Sequence, residues 1–241
     1  FLSVETGQGI VERYGPQTFP MEGRNIDKID LRIYKIDGLD RNYWPLSDSP
    51  VMVDENKRPP GPGEEPPFAT ALRKQIRLLK TPLISRIINI PIQGKLNRSR
   101  FGLDLKPFFS EISGRDQAGT YLVGYRPIND SHKRYYIRIQ VTDLCLSTVE
   151  EESAIRFFVS SYKDGIPIEN ADITVQGYHH RNQTWTDLIK GSTDSAGSFH
   201  YVHSKRISKT VGRIIVRKSG DLLVINTQRQ QPFFKNNHWY G

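Results

Sequence analysis

The side chains of this 241-residue sequence with the clearest capacity for chemistry are its six histidines, its single cysteine and two runs of glutamate. His179-His180 and His200-x-x-His203 are the residue types that ligate a transition metal. On a strand, however, adjacent residues and residues three apart point to opposite faces, so each pair offers one ligand per face. No carboxylate is placed to orient either imidazole pair. A metal-assisted hydrolase using His179, His180, His200 or His203 is therefore a rival reading only, and no metal and no cofactor are expected. Cys145 sits in the alternating run Ile137 to Val149, where a thiol packs as a small hydrophobe. Alone it permits no internal disulfide and no cysteine-based zinc cluster, and no cation or base accompanies it to make a reactive thiolate. Glu64-Glu65 and Glu150-Glu151-Glu152 read as solvated charge, because a catalytic carboxylate pair needs burial and a fixed separation. There is no Gly-x-Ser-x-Gly elbow and no phosphate-loop Gly-Lys-Ser/Thr, and Gly7-Gln-Gly9 lacks the third glycine of a dinucleotide loop. The chemistry-bearing residues predict a protein that is not an enzyme.

The formal net charge of +8 suits an acidic partner, an anionic lipid surface or nucleic acid. The basic residues are dispersed into a cluster at Arg73, Lys74, Arg77 and Lys80 and a looser one from Lys205 to Lys218. Neither has the glycine-aromatic setting of an RNA-binding sheet or a DNA-reading motif, so no nucleic-acid partner is expected. Adjacent aromatic pairs are the remaining handle: Tyr43-Trp44, Phe108-Phe109, Tyr135-Tyr136, Phe157-Phe158 and Phe233-Phe234. On a strand one member of each pair faces out, and outer aromatics suit protein contact. Tyr43, Trp44, Tyr135 and Tyr136, with Arg73 and Arg77, are the expected protein-contact residues. Exposed Trp and Tyr also stack on sugars, so an adhesive or carbohydrate-binding sandwich is the alternative. Asn97, Asn129 and Asn182 head Asn-x-Ser/Thr sequons.

The elements that must position these residues are mostly strands. Asp30 to Ile36 alternates polar and apolar residues, as a strand with one buried face does. Lys57 to Pro67 holds five prolines in eleven residues and reads as a stiff surface loop. Phe68 to Lys80 predicts a basic amphipathic helix, with Ala69, Leu72, Ile76 and Leu79 as a stripe that packs on its own domain and Pro82 as its stop. Strands are predicted at Ile84–Ile92, Arg100–Leu105, Gly119–Tyr125 and Arg134–Val141. Beyond Leu144 they continue at Ile155–Ser161, Ala171–Gln176, Trp185–Ile189, Ser198–His203, Gly212–Arg217 and Leu222–Asn226. Asp164-Gly165 and Asp194 to Gly197 supply turns. With the strand at Leu144 these make seven, and short strands at this spacing indicate an antiparallel sandwich.

Several of these segments resemble those of a known family. Leu31-Arg-Ile-Tyr-Lys-Ile-Asp-Gly-Leu-Asp-Arg-Asn-Tyr-Trp-Pro-Leu46 looks like the opening strand of a macroglobulin domain in bacterial alpha-2-macroglobulin-like proteins. Gly119-Thr-Tyr-Leu-Val-Gly-Tyr125 resembles the strand that closes such a domain, and Val141-Thr-Asp-Leu-Cys-Leu-Ser147 the junction into the next. Asp164-Gly-Ile-Pro-Ile168, Ala171 and Thr193-Asp-Ser-Ala-Gly197 are similar to the family's turn rhythm. The matches run from about residue 25 to residue 203. The thioester motif Cys-x-Glu-Gln has no counterpart, since this chain reads Cys145-Leu-Ser-Thr148, and no long protease-bait stretch is present. Either the subfamily lacks the thioester or both devices lie outside this sequence. The proline-rich insertion is similar to that of the operon-associated, thioester-free kind.

The resemblance implies an all-β fold of tandem antiparallel seven-stranded, fibronectin III-like macroglobulin sandwiches, with a short helical insertion in the first. The expected organisation is an N-terminal segment 1–24, a sandwich 25–143 with the insertion 47–83, and a second sandwich 144–241 joined without a flexible linker. The implied role is protease inhibition or trapping and bacterial envelope defence. The implied location is the periplasm, with inner-membrane association in the full-length protein. Implied partners are proteases, operon-encoded envelope proteins and neighbouring domains of the same chain. No stretch approaches the roughly 18 apolar residues of a spanning helix. The first residues lack a signal peptide's basic start and apolar run, so the sequence reads as an excised or processed piece.

Overall fold

The computed structural model describes residues 2–4, 6–40, 49–56, 76, 79, 81–92, 98–128, 132–151, 153–179, 184–202 and 211–227. They are almost wholly β, as the strand spacing predicts, and fall into two compact units, residues 1–142 and 143–241.

The first unit opens with β1 (Leu2–Ser3), β2 (Gln8–Glu12) and β3 (Thr18–Gly23). It continues with β4 (Lys28–Ile36), β5 (Val51–Asp54), β6 (Ile84–Asn89) and β7 (Ser99–Asp104). Helix α1 (Lys106–Ser113) precedes β8 (Gly119–Pro127) and β9 (Lys133–Thr142). β1, β3 and β7 form a small antiparallel sheet, and β2-β9-β8-β4-β6 a larger one. One edge of β9 is shared end to end: β5 pairs antiparallel with Lys133 to Tyr136, and β2 pairs parallel with Arg138 to Thr142.

The unit thus has nine strands among the described residues where seven were expected, and the parallel β2–β9 pair departs from a purely antiparallel plan. Residues 1–24, expected as a separate segment, instead supply β1, β2 and β3. The reason is in β3, where Phe19, Met21 and Gly23 alternate with outward residues and the two side chains must be buried. They join Ile29, Leu31, Ile33, Val123, Ile137 and Ile139 in the main core.

Helix α1 has no counterpart among the predicted elements. Pro107 in its first turn and Gly114 at its C-cap bracket it, and Phe108, Phe109 and Ile112 fall on one face and pack against the main core. Phe109 stacks on Tyr121 with ring centroids 4.2 Å apart. The Phe108-Phe109 pair therefore sits on a helix, not on a strand. The helix predicted over 68–80 lies outside the described residues except for Ile76 and Leu79. Ile76 is buried against Tyr34, Val51, Val53, Leu122 and Tyr136, and Leu79 packs on the same cluster. The two described members of the apolar stripe, Ile76 and Leu79, contact their own unit.

The second unit contains β10 (Leu144–Glu150), β11 (Ala154–Ser161), β12 (Asp172–His179), β13 (Thr184–Ser192), β14 (Ser198–Val202), β15 (Val211–Lys218) and β16 (Asp221–Asn226). The sheets β10-β11-β14 and β13-β12-β15-β16 are both antiparallel. This is the three-plus-four arrangement of a fibronectin III-like sandwich. Leu144, Phe157, Val159, Ile173, Val175, Ile189, Val216 and Leu223 fill the space between the sheets. Asp221 anchors the start of β10: its Oδ2 accepts from Asp143 N at 2.9 Å and its Oδ1 from Leu222 N at 2.7 Å.

The turn before β14 is set by Asp194, whose Oδ1 accepts the N–H groups of Ala196 and Ser198. Gly197 completes it at φ +68°, and a Cβ there would stand 2.5 Å from the Val159 carbonyl oxygen and 2.9 Å from Pro167 Cβ. Gly197→Ala should therefore cost about 1–3 kcal/mol from backbone strain, with the clash added. Urea unfolding followed by circular dichroism checks this, and an unchanged midpoint would remove Gly197 from the constraints on the fold.

Candidate functional site

Strand alternation splits the larger sheet of the first unit into two chemically different faces. Ile29, Leu31 and Ile33 on β4, Tyr121, Val123 and Tyr125 on β8, and Ile137, Ile139 and Val141 on β9 face the main core. The opposite face receives Asp30, Arg32 and Tyr34, then Leu122, Gly124 and Arg126, then Arg134, Tyr136 and Arg138. It divides into an apolar patch around Tyr34, Leu122 and Tyr136 and a cluster of charge.

Arg134 is the centre of that cluster, and its side chain is 0% exposed. Its Nη2 donates to Asp30 Oδ2 at 2.6 Å, Nη1 to the Asp30 main-chain oxygen at 2.8 Å, and Nε to Glu55 Oε1 at 2.8 Å. Arg126 Nη2 donates to Asp30 Oδ2 at 3.0 Å, and Arg32 Nη1 to Glu55 Oε1 at 2.9 Å. Because β8 lies between β9 and β4, the Arg134 side chain has to cross it. Gly124 makes room: a Cβ there would stand 2.7 Å from Tyr136 Cε1 and 3.0 Å from Arg134 Cδ.

Three guanidinium groups against two carboxylates leave the cluster with one surplus positive charge. Burial pushes the Asp30 carboxyl up, but hydrogen bonds from Arg134 and Arg126 and the charges of Arg134 and Arg32 outweigh it. The group is held below the usual carboxylate range. Burial pushes the phenols of Tyr34 and Tyr136 up. Asp30 and the two phenols titrate away from neutrality in opposite directions, so they hold fixed protonation states near pH 7 and do not exchange protons there. This arrangement braces the sheet.

The predicted contact residues fall out as follows. Tyr136 is 4% exposed, held in the patch with Tyr34 and Leu122. Tyr135 is half-buried and stacks on Tyr125 with centroids 5.7 Å apart. The expectation that one of an adjacent pair faces solvent fails here because apolar side chains meet the pair on both faces: Tyr135 packs against the main core and Tyr136 in the patch with Tyr34, Leu122 and Ile76. Tyr43, Trp44, Arg73 and Arg77 lie outside the described residues. At Phe157-Phe158 the alternation does hold: Phe157 is buried against Phe199 and Phe158 is exposed.

Arg213, placed in a basic surface cluster by the sequence, is buried with its guanidinium 4.0 Å over the Trp185 ring. His179 and His200 stand on β12 and β14, while His180 and His203 lie outside the described residues. No group of three or more metal-ligating side chains gathers among the described residues. Cys145 is half-buried on β10. The Arg134 cluster itself was missed. Its signal is present in Lys28-Ile-Asp-Leu-Arg-Ile-Tyr34, where opposite charges stand at alternate positions of an apolar strand, and in Arg134-Tyr-Tyr-Ile-Arg138, where two arginines fall on one face.

Three solved structures from Escherichia coli share this fold. Over a native alpha-2-macroglobulin fragment spanning domains NIE-MG1, the TM-score is 0.65 at 12% identity, covering 94% of this chain and 96% of that one. A native fragment spanning MG0-NIE-MG1 gives 0.61 at 12% identity, covering 93% of this chain and 63% of that one. Trypsin activated alpha-2-macroglobulin gives 0.59 at 12% identity, covering 95% of this chain but only 14% of that one. No protein-family model matches the sequence, and neither does any curated protein. The chain has the macroglobulin-type, all-β architecture of that span of bacterial alpha-2-macroglobulin.

Asp30→Asn removes one of the two carboxylates that neutralise a fully buried guanidinium. It should lower the unfolding free energy at pH 7 by about 3 kcal/mol. Because the folded Asp30 titrates below its unfolded value, its contribution is complete above about pH 4 and is lost as pH falls through the folded value. Denaturation midpoints of the parent and Asp30→Asn proteins should therefore converge in acid. A gap that persists undiminished at low pH would show that the loss is steric and not ionic.

Proposed function

We propose that this chain is a non-enzymatic structural and protein-contact portion of a bacterial alpha-2-macroglobulin-like protein that inhibits or traps proteases in the cell envelope. The observation that carries the reading is the nearly end-to-end fit of both units to the NIE-MG1 span at a TM-score of 0.65. A second Escherichia coli neighbour was solved in a trypsin activated form, which associates the architecture with a protease in that protein. On this reading the chain works in the periplasm, with any inner-membrane tether supplied elsewhere in the full-length protein. Its partners are proteases, envelope proteins and further domains of the same protein. The proton-locked Asp30–Arg134 cluster suits a rigid scaffold better than a catalytic site.

The carbohydrate-binding alternative gains no observation. Trp185 has Arg213 over its ring, and Tyr178 lies 4.9 Å away, so the ring is engaged within its own unit.

Capture from envelope extract on the immobilised chain tests the reading, at about 0.15 M and about 0.5 M salt, because charge pairs between exposed groups are screened at the higher value. Retention of a protease or of an alpha-2-macroglobulin-like chain at the higher salt is the expected result. Trp44→Ala should weaken that capture by more than about 1 kcal/mol if Trp44 is an interface anchor. Empty columns, or capture that vanishes at high salt, would overturn the protein-contact role.

A further inference from the structure

The main core of the first unit contains no described residue from Tyr34 to Leu83. Val51, Val53, Ile76 and Leu79 serve the other face instead, closing over Tyr34, Leu122 and Tyr136 in a cluster of their own. In the chain they lie between β4 and β6, which pair directly with each other from Lys28–Asn89 to Ile33–Ile84. This connection is therefore folded back over the sheet from which it springs. Lifting it would leave the order β2-β9-β8-β4-β6 and the main core unbroken.

Two polar attachments hold it down. β5 pairs with β9 alone among the described residues, Val51 to Asp54 against Tyr136 to Lys133, and Glu55 N donates to the His132 oxygen at 2.8 Å. The other is the Glu55 carboxylate, on which three guanidinium groups converge. Arg134 Nε stands at 2.8 Å, Arg32 Nη1 at 2.9 Å and Arg126 Nε at 3.5 Å. Asp30 meets the same three groups but belongs to β4 and stays with the sheet. Glu55 is thus the charge that would leave with the connection, stranding three guanidinium groups on one carboxylate. That cost keeps it closed. Opening it still gives up only one short row of main-chain bonds and one small apolar cluster, which is less than global unfolding requires.

We infer that residues 51–55, with Ile76 and Leu79, form a strap over the outer face of the larger sheet, latched by Glu55 on Arg134, that opens as a unit while the sheet beneath stays folded. The open form uncovers Tyr34, Leu122, Tyr136 and the Arg134 guanidinium and unpairs Lys133 to Tyr136 of β9. The outer face then has a sealed state and an open one, whatever role the whole chain serves.

Native-state hydrogen exchange on the whole chain, read residue by residue, tests this. Amides that pair β5 with β9 should exchange at least about tenfold faster than those that pair β8 with β4. Glu55→Gln, which keeps the shape and removes the charge, should speed the β5 amides by about tenfold or more, and Ile76→Ala should do the same through the shared cluster. A cross-link supplies the converse. Asp54 and Lys133 face each other as a non-hydrogen-bonded pair, since Glu55 and His132 beside them are bonded, and such pairs lie about 4.5 Å apart at Cα, within reach of a disulfide. In a Cys145→Ser background, oxidised Asp54→Cys/Lys133→Cys protein should slow the β5 amides to the rate of β8, and reduction should restore them. Equal exchange of β5 and β8 in the parent protein overturns the inference. So does unchanged β5 exchange in a folded Glu55→Gln or Ile76→Ala protein, or a cross-link that leaves β5 exchange as fast as before.

Discussion

A guanidinium with no exposure to water must be neutralised and hydrogen-bonded where it lies, and Arg134 imposes that demand on the first unit. Asp30 meets it from β4 and Glu55 from the turn after β5, while Arg126 and Arg32 share the two carboxylates from β8 and β4. One ionic cluster thus ties together three strands of a sheet and the segment following a fourth. Gly124 is the steric condition for it, because any side chain on β8 at that point would occupy the path of Arg134 and the ring of Tyr136. The apolar patch beside the cluster follows from the same geometry. With the charges gathered at one end, Tyr34, Leu122 and Tyr136 line the other, and Ile76 covers them.

The second unit is held by different means. Its core lies between a three-stranded and a four-stranded sheet, and its polar anchors sit at turns. Asp194 organises the turn into β14, and Thr193 donates to the Ile168 oxygen while accepting from Ala171 N. Asp221 does the same at the start of β10. Bracing by short side chains that satisfy main-chain groups suits a module repeated in tandem, since it leaves the outer faces of the strands free to vary. Phe158, Val149 and Val202 are exposed there without loss to the core. Both units invest their buried polar groups in shape.

Much of this was legible in the sequence. Alternation identified the strand at Asp30 to Ile36, because a strand with a buried face must repeat its apolar residues with period two, and the apolar runs Gly119 to Tyr125 and Arg134 to Val141 on either side of a polar turn identified two more. Asp and Gly at 164–165 and 194–197 marked turns for reasons as local as a side-chain oxygen and a positive φ. The rhythm of short strands after Leu144 was enough for the seven-stranded sandwich. Helix α1 escaped notice although Pro107 and Gly114 bracket it, since eight residues give too short a window for a helical period to stand out.

Whatever depends on which strands become neighbours was decided only by the tertiary structure. Tyr135 and Tyr136 form an exposed-looking pair by alternation, yet Tyr135 packs against the main core and Tyr136 into the patch around Tyr34, Leu122 and Ile76. Arg134, Asp30 and Glu55 lie up to 104 residues apart, and no local rule says that β8 will place Gly124 beneath their meeting point. That β6 is the last strand of the larger sheet among the described residues likewise follows from pairing, not from its composition. Local propensity and period determined the elements. Long-range pairing, which brings distant charges close enough to neutralise one another away from water, determined what those elements expose and what they bury.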